Sequence, residues 1–167
     1  MSSQAPLPAA SWRAVTGSAE ETHGLAAALA SVARPGDRLA LVGPLGAGKT
    51  QFAKGFATGL GIAEVVNSPS FTLMAEYDGR LTLFHQDLYR LSGTADALAG
   101  GLLDERQDEG VTLSEWADRL DDRLDPARLT VAIDMLGDDR RCVELRGRGD
   151  IASRYLAAAR RWAAERG

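Results

Sequence analysis

Hydrophobic and polar positions along the chain follow two rhythms, and the changes between them predict the elements. Between Ala19 and Val32 apolar residues recur at helical spacing. Ser18 stands before them as an N-cap residue, and Glu20 and Glu21 fall in the first turn, so a helix is predicted from Ser18 to about Val32. "RPGD" marks a turn. The apolar run in Arg38–Val42 predicts a buried strand, and a second helix is predicted from Lys49 to Leu60, stopped by Gly59 and Gly61. Alternation then takes over. "FTLMAEY" and "LTLFHQDLY" flank Asp78-Gly79, which predicts an antiparallel pair, Phe71–Tyr77 with Leu81–Asp87. "GVTLSEW" predicts another strand, and Ala127–Met135 with Arg141–Arg146 a last pair joined by "LGDDR". A short strand through Trp12 to Val15 opens the pattern, and a helix from Asp150 closes it. Residues 94–108 read as short helical turns broken at Gly100-Gly101. These elements make an α/β domain with a mixed parallel/antiparallel central sheet. No internal repeat or linker divides it, so residues 11–167 read as one domain behind a flexible leader, residues 1–10, interrupted by Pro6 and Pro8.

Composition narrows the function classes. The chain has 167 residues, 45% hydrophobic and 25% charged, ordinary values for a globular domain with a real core. No run approaches the roughly 18–20 apolar residues of a membrane span. The first residues lack the basic and apolar regions of a secretory signal, so a cytoplasmic location is expected. The single cysteine, Cys142, excludes an intramolecular disulfide framework and reads as a buried small hydrophobe on the last strand. A net charge of −4 argues against a surface devoted to nucleic acid.

The candidate chemistry lies in "LALVGPLGAGKTQFAKGF", where Gly43–Thr50 spells G-x-x-x-x-G-K-T between a predicted strand and a predicted helix. Glycines in such a loop let the backbone wrap tightly and aim N–H groups at phosphate oxygens, and the helix adds its positive end. Gly43, Leu45, Gly46, Ala47 and Gly48 would form that cradle. Lys49 would reach the β- and γ-phosphates, the Thr50 hydroxyl would ligate Mg²⁺, and Gln51 follows in the same helix turn as a further nucleotide-binding candidate. Hydrolysis needs carboxylates as well. Asp87 and Glu115 stand at apparent strand ends, where each either serves the metal and the attacking water or caps the next turn. The chain has no N-K-x-D base-reading motif, and its only lysines are Lys49 and Lys54, so ATP is expected rather than GTP.

Taken together, "GPLGAGKTQFAKGF", "SPSFTL" at Ser68–Leu73, "HQDLYRL" at His85–Leu91 and "EW" at Glu115–Trp116 resemble, in order and spacing, the TsaE (YjeE) family. The resemblance covers about residues 18–146 and implies a P-loop NTPase-like three-layer domain. It further implies a Mg²⁺-dependent ATPase, weak alone, that acts with the TsaD and TsaB proteins. That pair places threonylcarbamoyl on adenosine 37 of tRNA, which this chain would meet only through the complex. On this resemblance Lys49 and Thr50 match the phosphate and Mg²⁺ residues, Asp87 the acid of the "DLYRL" motif and Glu115 the acid of "EW". Ser70 lies in a switch-like loop where its hydroxyl would sense the γ-phosphate, and Thr22 matches a residue near the adenine side. Pro44 and Gln51 stand where the family often has Asp and Thr, Ser70 replaces the commoner Thr, and "EWA" replaces "EWP".

Other residues admit two readings. His85 is either a packing and hydrogen-bonding residue or a general base, with the former favoured for a lone His among apolar neighbours. Trp116 is either near the nucleotide or in the core, and Tyr89 and Arg90 either contact a partner or support Asp87. The tail "RYLAAARRWAAER" is favoured as an amphipathic helix with a solvated charged face over a nucleic-acid contact. Two other functions compete with the switch. A small metabolite kinase would want an arginine-rich lid, whereas residues 92–109 hold Arg106 as their only basic residue. A non-hydrolysing scaffold would be indifferent to Glu115.

Overall fold

The apolar run Arg38–Val42 becomes the middle of the sheet. A computed structural model describes residues 9–44, 47–66, 74–87, 105–115 and 128–166. They form β1 (Ala9–Thr16), α1 (Ala19–Ala30), β2 (Arg38–Val42), α2 (Lys49–Gly59), β3 (Met74–Tyr77), β4 (Leu83–Asp87), a 3-10 turn (Glu105–Glu109), β5 (Val111–Glu115), β6 (Leu129–Met135), β7 (Arg141–Arg148) and α3 (Gly149–Arg166). The seven strands lie in the order β1-β7-β6-β2-β5-β4-β3. β6, β2, β5 and β4 run parallel, while β7 and β1 on one flank and β3 on the other pair antiparallel. The architecture is the expected α/β, P-loop NTPase-like class with a mixed sheet.

Burial separates the two kinds of strand. β5 is buried at every position and β4 at all but its last, as parallel strands covered on both faces require. One set of alternating positions, Leu39 and Leu41, Val111 and Leu113, Val131 and Ile133, joins Leu25, Leu29, Phe52, Phe56 and Tyr155 in a single apolar cluster under the helices. The reverse set, including Ala40, Thr112, Ser114 and Gln86, is buried too, and Ser114 Oγ donates to Gln86 Oε1 at 2.8 Å. By contrast, β7 mixes buried and exposed positions, and β1 is exposed or half-buried up to its last residue, Thr16. Cys142 lies on β7's half-exposed side, so it is not the fully buried hydrophobe expected.

The helices are fixed by small, local devices. Ser18 caps α1 by accepting the Glu21 N–H at 3.1 Å, and Glu21 in turn accepts the Gly17 N–H at 3.0 Å, a near relative of the capping box. α2 lies backbone-close on α1, because a methyl on Gly55 would stand 2.2 Å from the His23 carbonyl oxygen and one on Gly59 2.4 Å from that of Ala27. α3 buries Ile151, Ala152, Tyr155, Leu156, Ala158 and Ala159. Its Trp162 meets Trp12 edge-on at 6.5 Å, and Arg166 lies over the Trp162 ring and pairs with Glu21. The tail is therefore an amphipathic packing helix, as favoured.

Several boundaries differ from expectation. β1 begins at Ala9 rather than Trp12, because its register with β7 runs from Ala9 opposite Arg148 to Thr16 opposite Arg141. The β3–β4 connection spans residues 78–82, since β4 begins at Leu83 and Tyr77 pairs with it. Gly79 is packed on α2's exit there, where a methyl would meet the Leu60 carbonyl oxygen at 2.6 Å. β7 extends to Arg148, and α3 follows without a gap. Residues 1–8 of the expected leader, 71–73 of the expected β3, 94–104 and Ala127 lie outside the described residues. Among the described residues, no helix is long and apolar enough to cross a membrane.

Candidate active site

The parallel strands β2, β5 and β4 end side by side, and Gly43, Gly48, Lys49, Thr50, Asp87 and Glu115 lie at that end. β2 stops at Val42, the chain turns at Gly43, and α2 starts at Lys49. Gly43 has φ 151°, and a methyl there would stand 2.3 Å from the Ile133 carbonyl oxygen, so the loop presses onto the end of β6. Gly48, at φ 105°, sits in the left-handed region as the N-cap of α2. These two motif glycines are thus required by the turn. Ala47 is buried between them and α2, while Leu45 and Gly46 lie outside the described residues.

Lys49 is 5% exposed, and its Nζ donates to the carbonyl oxygens of Gly43 at 2.7 Å and Pro44 at 3.1 Å. The ammonium is therefore folded back over the loop it belongs to. Thr50 and Gln51, in the first turn of α2, are half-buried. Backbone N–H groups at this helix end lack intrahelical acceptors, which makes it a place where negative charge is stabilised.

Asp87 and Glu115 come together on adjacent strands. The parallel register sets Asp87 directly opposite Glu115 at the ends of β4 and β5. Glu115 is buried, at 4% exposure, and its Oε2 lies 2.7 Å from His85 Nε2. His85 is fully buried, and among the described residues its Nδ1 has no hydrogen-bond partner. The favoured hydrogen-bonding reading of His85 stands, with a partner that the sequence did not indicate. Two neighbouring carboxylates repel each other unless a cation or proton lies between them. Among the described residues no three His, Cys, Asp or Glu side chains gather into a metal cage. The donor set fits Mg²⁺ nonetheless, which is held by one or two carboxylates plus substrate phosphates rather than by a protein cage.

One further residue reaches this end of the sheet. Arg141, first on β7, donates through Nε to the Ala47 carbonyl at 3.0 Å and through Nη1 to the carbonyls of Gly137, Asp138 and Arg140 at 2.9–3.2 Å. It ties the β6–β7 turn to the glycine loop, and only the spacing "LGDDRR" hinted at an arginine there. Thr22 stands differently. It is 1% exposed and its hydroxyl pairs with that of Thr16 at 2.7 Å. Ser70, Tyr89, Arg90 and Trp116 lie outside the described residues.

A cavity of about 630 Å³ lies at the opposite end of the molecule, lined in part by Ser31, Arg34, Arg80, Arg154 and Arg161. Two of its guanidiniums are already engaged. Arg80 donates to the Ala30 and Ala33 carbonyls at 2.8 and 3.2 Å and Arg154 to that of Val32 at 2.8 Å, capping the end of α1.

A sequence model of the family described as "Threonylcarbamoyl adenosine biosynthesis protein TsaE" matches residues 16–143. The chain belongs to the TsaE family. Similar relatives named "tRNA threonylcarbamoyladenosine biosynthesis protein TsaE" include that of Bacillus subtilis, 48% identical over 131 residues, covering 78% of this chain and 80% of the relative. The TsaE of Treponema pallidum is 40% identical over 129 residues, covering 77% and 96%. A crystal structure of Bacillus subtilis YdiB superposes with a TM-score of 0.66 at 37% identity, covering 98% of this chain and all of that one. TsaE membership thus extends over the glycine loop, both strand-end carboxylates, His85 and Arg141.

Proposed function

We propose that the chain is the ATP-binding and ATP-hydrolysing component of tRNA threonylcarbamoyladenosine biosynthesis, a nucleotide-driven switch that supports the TsaD–TsaB transferase acting at adenosine 37. The observation that carries this is the meeting of four groups at one sheet end. Lys49 and Thr50 open α2 behind the glycine turn, and Asp87 and Glu115 close two adjacent parallel strands in register. Membership of a family described by this biosynthesis supports the same reading.

On this reading Lys49 leaves the carbonyls of Gly43 and Pro44 for the β- and γ-phosphates, where its charge offsets the charge on the transferring group. Thr50, Asp87 and Glu115 would hold Mg²⁺, which when bound supplies charge neutralisation and orients phosphate oxygens. Glu115, one face of which is committed to His85, aims the attacking water at the γ-phosphorus; water adds, the bond to the β-phosphate oxygen breaks, the water's proton passes to phosphate and solvent, and ADP and phosphate leave. Nothing in this cycle requires the chain to touch tRNA. Its net charge of −4 agrees with action through TsaD and TsaB.

The test is ATP turnover by the purified chain, alone and with TsaD plus TsaB, for wild type, Lys49→Ala and Glu115→Ala. Slow turnover that the partners raise and both substitutions abolish is expected. Turnover that appears only with a small-molecule acceptor would mark a kinase, and turnover indifferent to Glu115→Ala would remove the hydrolytic assignment.

A further inference from the structure

A glutamate at a strand end has a long, rotatable side chain, and a carboxylate that must face a cation or a water has to be kept from swinging. Glu115 is nearly sealed from solvent, yet among the described residues the side-chain hydrogen bond it receives comes from His85 alone, at 2.7 Å. His85 lies two residues before Asp87 on β4, so the two share a face of that strand. The register places His85 opposite Leu113 and Asp87 opposite Glu115. The imidazole therefore stands one step back from the strand ends and reaches diagonally across to β5.

We propose that His85 is a positioning residue that fixes the carboxylate of Glu115 for the metal and the water. This rests on the role given to Glu115 above. With a carboxylate as acceptor, the proton sits on Nε2 and is donated to Oε2, which leaves Oε1 outside that hydrogen bond. The cost of this arrangement argues for its purpose. Among the described residues, His85 Nδ1 and Thr112 Oγ1 are the buried side-chain polar atoms without a partner. An apolar side chain of similar volume would fill the same space on β4 without that penalty. What it could not supply is a donor held rigidly beside Glu115. Support of this kind is a recurrent device around metals, where the group behind a ligand sets the ligand's direction.

The geometry makes two conservative substitutions behave differently. The amide nitrogen of Gln stands as many bonds from Cα as imidazole Nε2, whereas that of Asn matches Nδ1, the atom that faces no partner. The experiment compares His85→Gln, His85→Asn and Glu115→Gln in the full chain. It reads ATP turnover against ATP and Mg²⁺ concentration, calorimetric binding of ADP with and without Mg²⁺, and thermal unfolding. His85→Asn is expected to lower kcat by about 10–100-fold with KM for ATP moved less than about threefold. It should also weaken the Mg²⁺-dependent part of ADP binding and leave ADP binding without Mg²⁺ unchanged. His85→Gln is expected to stay within about fivefold of wild type in kcat.

The inference is overturned if His85→Asn turns over and binds Mg²⁺·ADP like wild type, or if His85→Gln falls as far as His85→Asn while both remain folded. Should His85→Asn fail to fold, a folded His85→Gln with lost Mg²⁺ dependence overturns it equally, and one with wild-type kcat and Mg²⁺ dependence upholds it. Glu115→Gln separates the two levels. If it kills turnover and His85→Asn does not, the positioning role alone fails; if Glu115→Gln turns over normally, the reading of Glu115 fails and the positioning role with it.

Discussion

Asp37 leads into β2 at one end of the parallel strands and Glu115 closes β5 at the other, and the fold surrounds these two buried carboxylates very differently. Asp37 accepts four hydrogen bonds. Two come from Arg154 at 2.7 and 2.9 Å, one from the Tyr155 hydroxyl at 2.7 Å and one from the Arg34 N–H at 2.9 Å. Burial, and then the neighbouring Asp37, push the Tyr155 pKa far above its ordinary range, while the hydrogen bond to Asp37 holds the Arg154 guanidinium firmly charged. Glu115 accepts one side-chain hydrogen bond among the described residues, from a histidine whose second nitrogen is left over. A carboxylate with both oxygens engaged, in four hydrogen bonds, has little capacity for a ligand and serves as an anchor. One with an oxygen to spare, beside a second carboxylate in register, is arranged for something that arrives. The contrast teaches that burial alone does not mark a functional acid; the state of its hydrogen bonding does.

That contrast can be broken from either side. Asp37→Ala leaves the Arg154 charge and the Tyr155 hydroxyl buried without their acceptor and should cost about 3–5 kcal/mol in urea unfolding. A loss under about 1 kcal/mol would mean that Asp37 anchors nothing. Glu115→Gln, at the other end, should cut ATP turnover by about 100-fold and change stability by less than about 1 kcal/mol; a large loss of stability would make Glu115 an anchor too. Between the two ends, Gly55→Ala drives a methyl against the His23 carbonyl and should destabilise by about 1–3 kcal/mol. Unfolding at an unchanged midpoint would show that α1 and α2 yield more easily than their packing suggests.

Tyr155→Phe sharpens the comparison with pH. Because the folded-state pKa of Tyr155 is raised above its ordinary value of 10.0, its contribution is fully present below pH 10 and is lost as pH climbs past that value. Wild type should therefore weaken more steeply than Tyr155→Phe above pH 10 in a denaturation series, and equal slopes would contradict the assignment. The smallest effect belongs to Arg13→Ala. Its pair with Glu144 at 3.0 Å is exposed on the solvent face of β1 and β7, and its removal should leave the unfolding midpoint where it was.

Much of this was legible in the chain. β2 was readable to the residue, and β5 to within one residue at its start, because an apolar run bounded by turn residues admits few alternatives. The cap at Ser18 and the glycine loop were readable because their chemistry is local. What escaped depends on which strands become neighbours. Ala9, Ala10 and Ser11 carry no strand signal of their own and are ordered by pairing with β7. The parity of β4 puts His85 and Asp87 on one face, but only the adjacency of β4 and β5 hands His85 its partner thirty residues away. Asp37 read as part of a turn, since nothing in "RPGD" announces an arginine and a tyrosine more than a hundred residues later.

The glycine seat between α1 and α2 has a mechanical consequence. Lys49 and Thr50 ride on the first turn of α2, and that helix, about 16 Å long at 1.5 Å per residue, touches α1 backbone to backbone at Gly55 and Gly59. No flexible side chain stands between them to act as a cushion. An axial shift of α2 would therefore press on α1 as well, so the close-packed pair couples the glycine loop to Ser31 and Arg34 at the far end.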